Sequence, residues 1–189
     1  MATAARLIVV DALPAERALE QAATELGVRL THCRPSREQL HDAIREYRSL
    51  FRPDQVETIA AQRAATVALM RLLSGYTPRA GGSVIDGRDA SSDALVFLDT
   101  DTIEPVIYEL YDRRLVWRAA EYSARHTSGR RVAHPALEVE SNGHRVMLVA
   151  MPGNLAADPP CDPIDGRPMS LLSTHALAAI TGEDGPAQR

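Results

Sequence analysis

The sequence predicts an α+β protein in which a helical N-terminal segment packs on a mixed β-sheet. Residues 1–75 place apolar side chains at helical spacing, and residues 79–151 are rich in strand patterns. Asn142-Gly143 also lies between two apolar runs, which is the strongest short signal for a β-hairpin. We therefore divide the chain into a helical segment, 1–75, and an α/β core with a C-terminal helix, 76–189, and expect one compact domain.

Three helices are predicted in the first 75 residues. "PAERALEQAATELGV" begins with proline and ends near glycine. "SREQLHDAIREYRSLF" opens with Ser36 and Gln39, which fit a capping box, and Asp54 with Glu57 fit a second box at the start of "DQVETIAAQRAATVALMRLLSG". "ARLIVV" fits a helix or a strand equally well, and its structure is left open.

The core is predicted to begin with two paired strands. "RAGGSVI" and "DALVFLD" are the strands, and "DGRDASS" is the turn between them. "DTIEPVIYELYDRR" is predicted to be a helix capped by Asp101 and Glu104. "LVWRAAEY" is a further strand, "ALEVESNGHRVMLVAMP" a hairpin and "SLLSTHALAAI" a terminal helix. The first two strands are expected to be adjacent and to pack against helix 54–74.

Composition limits the classes of function. Apolar residues make up 45% of 189 residues, which is enough for a core, and the net charge of −4 does not favour nucleic-acid binding. No window approaches the ~18 apolar residues of a membrane span, and the first residues do not resemble a signal peptide. All 21 basic residues are arginine, which is typical of a GC-rich bacterial genome. A cytoplasmic protein that does not bind membranes is expected.

A glycine-serine turn and a lone aspartate form the motif that points most directly to chemistry. Gly82-Ser83 is followed, after nine residues, by Asp93 at the start of an apolar run. Such a turn lets backbone amides and a hydroxyl approach a triphosphate. Two carboxylates at i and i+2 of a strand share a face and hold Mg²⁺, and a third on a neighbouring strand completes the clamp.

This arrangement resembles the nucleotidyltransferase (DNA polymerase beta-like) superfamily in its minimal form. The stretch from "LHDAIREYRSLF" to "IDGRPMSLLSTHALAAI" also resembles a small family of uncharacterised bacterial proteins within it. The resemblance implies a sheet of nucleotidyltransferase type, with Mg²⁺ and a nucleoside triphosphate as cofactors. It implies Asp93 as the catalytic residue and metal ligand, and it implies triphosphate contacts from Gly82, Ser83, Arg113, Arg114 and Arg118.

The chain departs from that pattern at the metal ligands. Leu95 stands where the second carboxylate belongs, and the strand "HRVMLVAM" contains no acid for the third. Glu138 and Glu140 are acids on the preceding strand of the hairpin. The sequence therefore predicts weak Mg²⁺ binding and a protein that binds a nucleotide or a protein partner rather than catalysing efficiently. A non-catalytic, antitoxin-like protein-binding module is the alternative, and whether the chain is an enzyme is left open.

A second carboxylate pair supports a different alternative. "LVFLDTDT" ends an apolar strand with Asp99 and Asp101, a pattern with which many glycosyltransferases hold a metal ion and a nucleotide-sugar diphosphate. Two carboxylates at this spacing share a strand face. Asp101 is also explained as a helix cap together with Glu104.

A basic stretch with aromatic residues follows. Six arginines lie between residues 113 and 131, with Trp117 and Tyr122 among them. Arginines bind phosphate and aromatic rings stack on bases, so a nucleotide or an RNA end fits this composition. The favoured interpretation is a charged hairpin edge that discourages strand pairing, and nucleic acid is not the favoured partner. The six histidines show no metal-ligand spacing, and most are expected at the surface.

Overall fold

The structure is a computed structural model that describes residues 1–11, 13–30, 34–87, 92–153, 155, 158–162 and 166–181. Its helices are α1 (Ala2–Val9), α2 (Ala15–Glu25), α3 (Arg37–Phe51), α4 (Pro53–Leu72), α5 (Ser83–Asp86), α6 (Glu104–Asp112) and α7 (Thr174–Thr181), with a 3₁₀ turn at Ser74–Tyr76. Its strands are β1 (Arg79–Gly81), β2 (Ala94–Leu98), β3 (Trp117–Arg125), β4 (Arg131–Ser141), β5 (His144–Ala150) and β6 (Leu172–Ser173). The fold class is α+β, as predicted.

The six strands form one mixed sheet in the order β3-β4-β5-β2-β1-β6. β2 and β5 are parallel, and the other neighbouring strands are antiparallel. β1 pairs with β2, so the predicted adjacency of the first two strands of the core is confirmed. β3 lies at one edge of the sheet, where the sequence predicted a charged hairpin edge.

One face of the sheet, called here the helix face, carries only apolar side chains in its buried centre. Alternate residues of β2 and β5 point to it, and α4, α6 and α7 cover it. The fully buried members of this cluster include Val67, Met70, Val96, Leu110, Leu148 and Leu177. Burial of these side chains is the main stabilising contribution to the α/β core.

The opposite face is called here the segment face, because irregular chain covers it. The described residues between 151 and 171 form this covering segment. Phe97 and Val149 are fully buried beneath it, and Met151 and Met169 belong to the same apolar cluster. The ring of Phe97 contacts the ring of Tyr122 edge to face, with centroids 5.8 Å apart.

The N-terminal helices have an apolar cluster of their own. α1 packs against both α2 and α3, with Leu7 and Ile44 buried at the centre. α3 in turn contacts α4, which belongs to the cluster of the helix face. "ARLIVV", whose structure the sequence left open, forms most of α1.

Two sequence signals are confirmed by backbone geometry. Ser36 and Gln39 form the predicted capping box at the start of α3, with Gln39 N donating to Ser36 Oγ at 3.2 Å. Asn142 and Gly143 both have positive φ, 49° and 76°, and join β4 to β5 in a two-residue turn. Positive φ at both positions is what a type I′ hairpin requires.

Two predicted helix starts are wrong. Asp54 was expected to cap α4, but that helix begins one residue earlier at Pro53, which is favoured at a first helical position. Asp101 was expected to cap α6, but α6 begins at Glu104 after Ile103, without a side-chain cap. In both cases a proline at the first turn, Pro53 or Pro105, presets helical φ without a capping side chain.

The first core strand is shorter than predicted. "RAGGSVI" was interpreted as a strand throughout, but β1 ends at Gly81 and the chain turns into α5 at Ser83. Residues 88–91 of the predicted turn lie outside the described residues. β6, just before α7, was not predicted at all. Within the described residues, no helix combines the length and apolarity that a membrane span requires.

Candidate functional site

Gly82 forms the sharp connection between β1 and α5. Its backbone has φ 73° and ψ −151°, a conformation that is essentially restricted to glycine. A Cβ atom at this position would also lie 3.4 Å from Cδ1 of Leu95. Gly87, with φ 65°, ends the single turn of α5. The glycine-serine pair therefore places Ser83 at the first position of a short helix.

A cavity of about 360 Å³ lies beside Gly82. The N-terminal helices, α5, α7 and the covering segment all contribute to its wall, and its charged members include Asp42, Arg45, Arg63, Asp86 and Asp162. Arg45 forms an ion pair with Asp42. The cavity thus has cations and carboxylates in its wall, and a volume within the range of small-molecule sites.

Arg63 is the cation of this wall that fixes the position of α5. Its Nε donates to the carbonyl oxygen of Val84 and its Nη2 to that of Ile85, both at 2.8 Å. These bonds satisfy carbonyl groups that so short a helix leaves without partners. Burial lowers the pKa of Arg63, and the nearby carboxylate of Asp86 opposes that change.

Ser83 carries a polar atom without a partner. Its Oγ is buried and has no hydrogen bond to the described residues. A buried hydroxyl without a partner costs about 1–3 kcal/mol relative to a satisfied one. The turn that sets the helix start therefore also buries an unsatisfied hydroxyl, and Gly82 and Ile85 on either side of it in the sequence line the cavity.

Asp93 precedes β2 and is bound by an arginine from the neighbouring strand. Nε of Arg145 lies 3.1 Å from Oδ1 of Asp93, and the side chains are 63% and 23% exposed, respectively. The parallel register explains this contact, because Ala94 pairs with Val146 and the two preceding residues are neighbours. The carboxylate expected to bind a metal is thus neutralised by a guanidinium group.

The other expected metal-ligand positions are apolar. Leu95 is partly buried and packs against the apolar cluster of the segment face, opposite Met147 of β5. No cluster of three or more histidine, cysteine, aspartate or glutamate side chains suited to a metal occurs in the described part of the chain. Asp93 alone, paired with Arg145, does not fit Mg²⁺, which needs several oxygen ligands in octahedral geometry.

None of the three predicted phosphate-binding arginines lines the cavity beside Gly82. Arg113 and Arg114 follow α6, which covers the helix face, whereas Asp93 lies at the segment face. Arg113 forms an ion pair with Glu109 at the end of that helix. Arg118, on the edge strand β3, is separated from β2 by two strands.

The two glutamates considered as substitute ligands lie on β4. Glu138 forms an ion pair with Arg118. Glu140 pairs in register with Arg145, the residue that also forms the ion pair with Asp93. Both carboxylates therefore have arginines as their cross-strand neighbours.

Asp99, one of the two aspartates of the alternative carboxylate pair, has a structural role. Oδ1 of Asp99 accepts a hydrogen bond from the backbone N–H of Gly153 at 2.6 Å. This contact joins the carboxyl end of β2 to the chain that follows β5. Asp101 lies in an exposed bend before α6.

Two of the six histidines, His126 and His134, are buried and in contact. Nε2 of His126 lies 3.0 Å from Nε2 of His134, and the residues are 7% and 8% exposed. Nδ1 of His126 donates to the carbonyl oxygen of Asp158 at 2.7 Å, so Nε2 of a neutral His126 accepts from His134. Burial and the neighbouring His126 lower the pKa of His134.

The sequence contained part of the signal for this pair. Strand alternation along β4 places His134 on the face that carries Ala136, but His126 lies in the turn after β3. Its burial depends on the covering segment: the N–H of Thr127 donates to the carbonyl oxygen of Pro159, and the carboxylate of Asp158 binds Ser128. No periodicity in the sequence predicts that docking.

The chain was compared with known proteins at the levels of sequence and fold. No family model, no curated protein and no solved structure matches it.

Proposed function

We propose that this chain is a nucleotidyltransferase-like protein with a degenerate metal site, which binds a nucleotide beside Gly82 and Ser83 without efficient metal-dependent transfer. The observation that carries the proposal is the pairing of Asp93 with Arg145. A carboxylate that already has a guanidinium partner is a poor Mg²⁺ ligand, because the two cations repel each other. Leu95 and Met147 add no ligand.

Two features of the turn support phosphate binding. Gly82 has no side chain to cover its backbone, which lets a ligand approach closely on the side that Leu95 does not occupy. The hydroxyl of Ser83 is buried next to Gly82 without a partner, and a phosphate oxygen that reached it would satisfy it. The cavity beside the turn has room for part of a nucleotide.

Titration calorimetry with ATP tests the proposal, once in EDTA and once in Mg²⁺. We expect binding under both conditions, and we expect Ser83→Ala to weaken it about tenfold. The same variant should leave the melting temperature unchanged or slightly raised, because it removes no hydrogen bond to the described residues. Ser123→Ala, at an exposed position of β3, is the control.

One outcome would contradict the proposal directly. If affinity requires Mg²⁺ and disappears in Asp93→Ala, the metal site is intact and the argument from Arg145 is wrong.

A bacterial, cytoplasmic protein remains a prediction from composition. Use of Asp99 and Asp101 by a glycosyltransferase is less well supported, since Asp99 holds Gly153.

A protein-binding module is the second candidate, and one surface favours it. Tyr108 and Tyr111 of α6 are 70% and 75% exposed, and Val116, just before β3, is 76% exposed. Large exposed side chains of this kind are enriched in protein–protein interfaces. Failure of ATP to bind under either condition would favour this candidate over the nucleotide-binding function.

A further inference from the structure

We propose that Arg145 takes the place of the metal ion and binds the phosphate group of the ligand directly. The inference rests on the proposed function and deepens it, because it names the residue that binds the phosphate group. Arg145 is the residue that pairs with Asp93 at the head of β2. No sequence motif pointed to a role for it.

The sheet brings Arg145 close to the glycine-serine turn. β2 lies between β1 and β5, with Gly81 paired to Leu95 on one side and Val146 paired to Ala94 on the other. The Gly82 turn and Arg145 therefore flank the same end of β2. Two strand spacings separate them, which is about 10 Å, a distance that a di- or triphosphate chain can span.

The guanidinium group has donors to spare beyond its ion pair with Asp93, and its other acidic neighbour is the exposed Glu140, opposite it on β4. Asp93 is contacted by Nε of Arg145, and a guanidinium group carries five N–H donors in a planar fork. The side chain is 63% exposed, so a ligand can reach it. Forked N–H donors match two phosphate oxygens at once, whereas a single carboxylate matches only one edge of the fork.

Asp93 then acts as a positioning residue. Its ion pair with Nε holds the arginine side chain at the end of β2, about 10 Å across the sheet from the turn that carries the unpartnered Ser83 hydroxyl. The same carboxylate competes with phosphate for the positive charge. Removal of the carboxylate charge should therefore strengthen phosphate binding, although the loss of positioning acts against it. A metal clamp predicts the opposite sign when Mg²⁺ is present, because there the carboxylate is a ligand.

Calorimetric titration in EDTA, with ATP and with inorganic tripolyphosphate, measures the role of Arg145. We expect Arg145→Met to weaken both ligands about tenfold or more, and Arg145→Lys to be intermediate because it keeps the charge but loses the fork. Arg6→Met is the matched control, since Arg6 is also an exposed arginine beside an aspartate, at 3.4 Å from Asp11. It should change the affinity less than twofold.

The sign of the effect of Asp93→Asn is the second measurement. We expect affinity for tripolyphosphate to rise severalfold both in EDTA and in Mg²⁺, whereas a loss of affinity in Mg²⁺ would show that Asp93 is a metal ligand and would overturn the inference. Circular dichroism confirms that the variants fold. Unchanged affinity in Arg145→Met, with loss in Ser83→Ala, would overturn this inference and leave the proposed function standing. Binding that requires Mg²⁺ would overturn both, and so would the absence of any phosphate binding by the unsubstituted protein.

Discussion

The two faces of the sheet differ in what covers them. The helix face is covered by α4, α6 and α7, and the side chains that β2 and β5 bury on this face are apolar. The two buried polar residues of the covering helix α4, Gln62 and Thr66, hydrogen-bond to backbone carbonyl groups. The segment face is covered by irregular chain and combines an apolar cluster with the His126–His134 pair and with Asp93 and Arg145 at its end. These two pairs of titratable side chains therefore lie on the face that no helix covers.

The reason for the difference is backbone hydrogen bonding. A helix satisfies its own N–H and C=O groups and can lie on a wholly apolar surface, whereas irregular chain needs polar partners. The covering segment finds some of them in the turn after β3: the N–H of Cys161 donates to the carbonyl of Arg125, and Asp158 binds Thr127 and Ser128. Polar groups on this face are a consequence of its irregular cover.

The largest expected effect is at the helix face. Leu148 of β5 is fully buried there, and Leu148→Ala should lower the free energy of unfolding by about 2–5 kcal/mol, because it removes apolar contacts and leaves a cavity. Met147→Ala is the matched substitution on the segment face, where the side chain is only partly buried, and it should cost less than half as much. Urea denaturation measures both. Equal losses would contradict the distinction between the faces.

Leu95→Asp is expected to have an intermediate effect. It places a second carboxylate two residues after Asp93 but within the apolar cluster of the segment face, at a cost of about 1–3 kcal/mol. Thermal melting with and without Mg²⁺ measures it, and we expect a lowered melting temperature that is indifferent to the metal. A melting temperature restored by Mg²⁺ would show that the end of β2 can still form a metal site.

The smallest expected effect is a pH dependence that belongs to the segment face. The pKa of His134 is lowered in the folded protein, so the unfolded chain binds its proton more readily. Stability is then fully present above the unfolded value of about 6.5 and falls as the pH decreases below it, by at most about 1.4 kcal/mol per pH unit. The titratable groups near His134 are its partner His126 and, around the pair, Asp158, Tyr122 and Asp162.

Urea denaturation between pH 5 and pH 8 tests this dependence. His134→Gln keeps a donor toward His126 and should flatten the decrease at acidic pH, whereas His144→Gln, in a partly exposed position at the start of β5, should not. A decrease of the same steepness in His134→Gln would assign the pH dependence to other groups.

Local signals in the sequence predicted the parts of the fold that local geometry determines. Asn142-Gly143 fixed the hairpin, and Ser36 with Gln39 fixed the start of α3, because each acts on its own backbone. The pairing of Asp93 with Arg145 was not predicted. It depends on the parallel register of β2 and β5, which no residue pattern within either strand encodes.

The candidate site was predicted only in outline. Gly82 and Ser83 do form a sharp turn, but the cavity beside it takes much of its wall from the N-terminal helices, including Asp42 and Arg45. Contacts between segments so distant in sequence follow from tertiary packing. Periodicity predicts a single helix or strand, but it does not predict which elements contact each other. His126 was missed for the same reason, since the covering segment buries it.

The single parallel pair of the sheet also has a consequence for folding kinetics. β3, β4 and β5 follow one another through short connections, so these antiparallel contacts close small loops. β2 meets β5 only across about 50 intervening residues, and closing so long a loop costs more chain entropy, so this pairing is expected to form later. Asp93 and Arg145 belong to that late contact. In a partly folded chain whose hairpins have formed, Asp93 would therefore not yet be paired with Arg145.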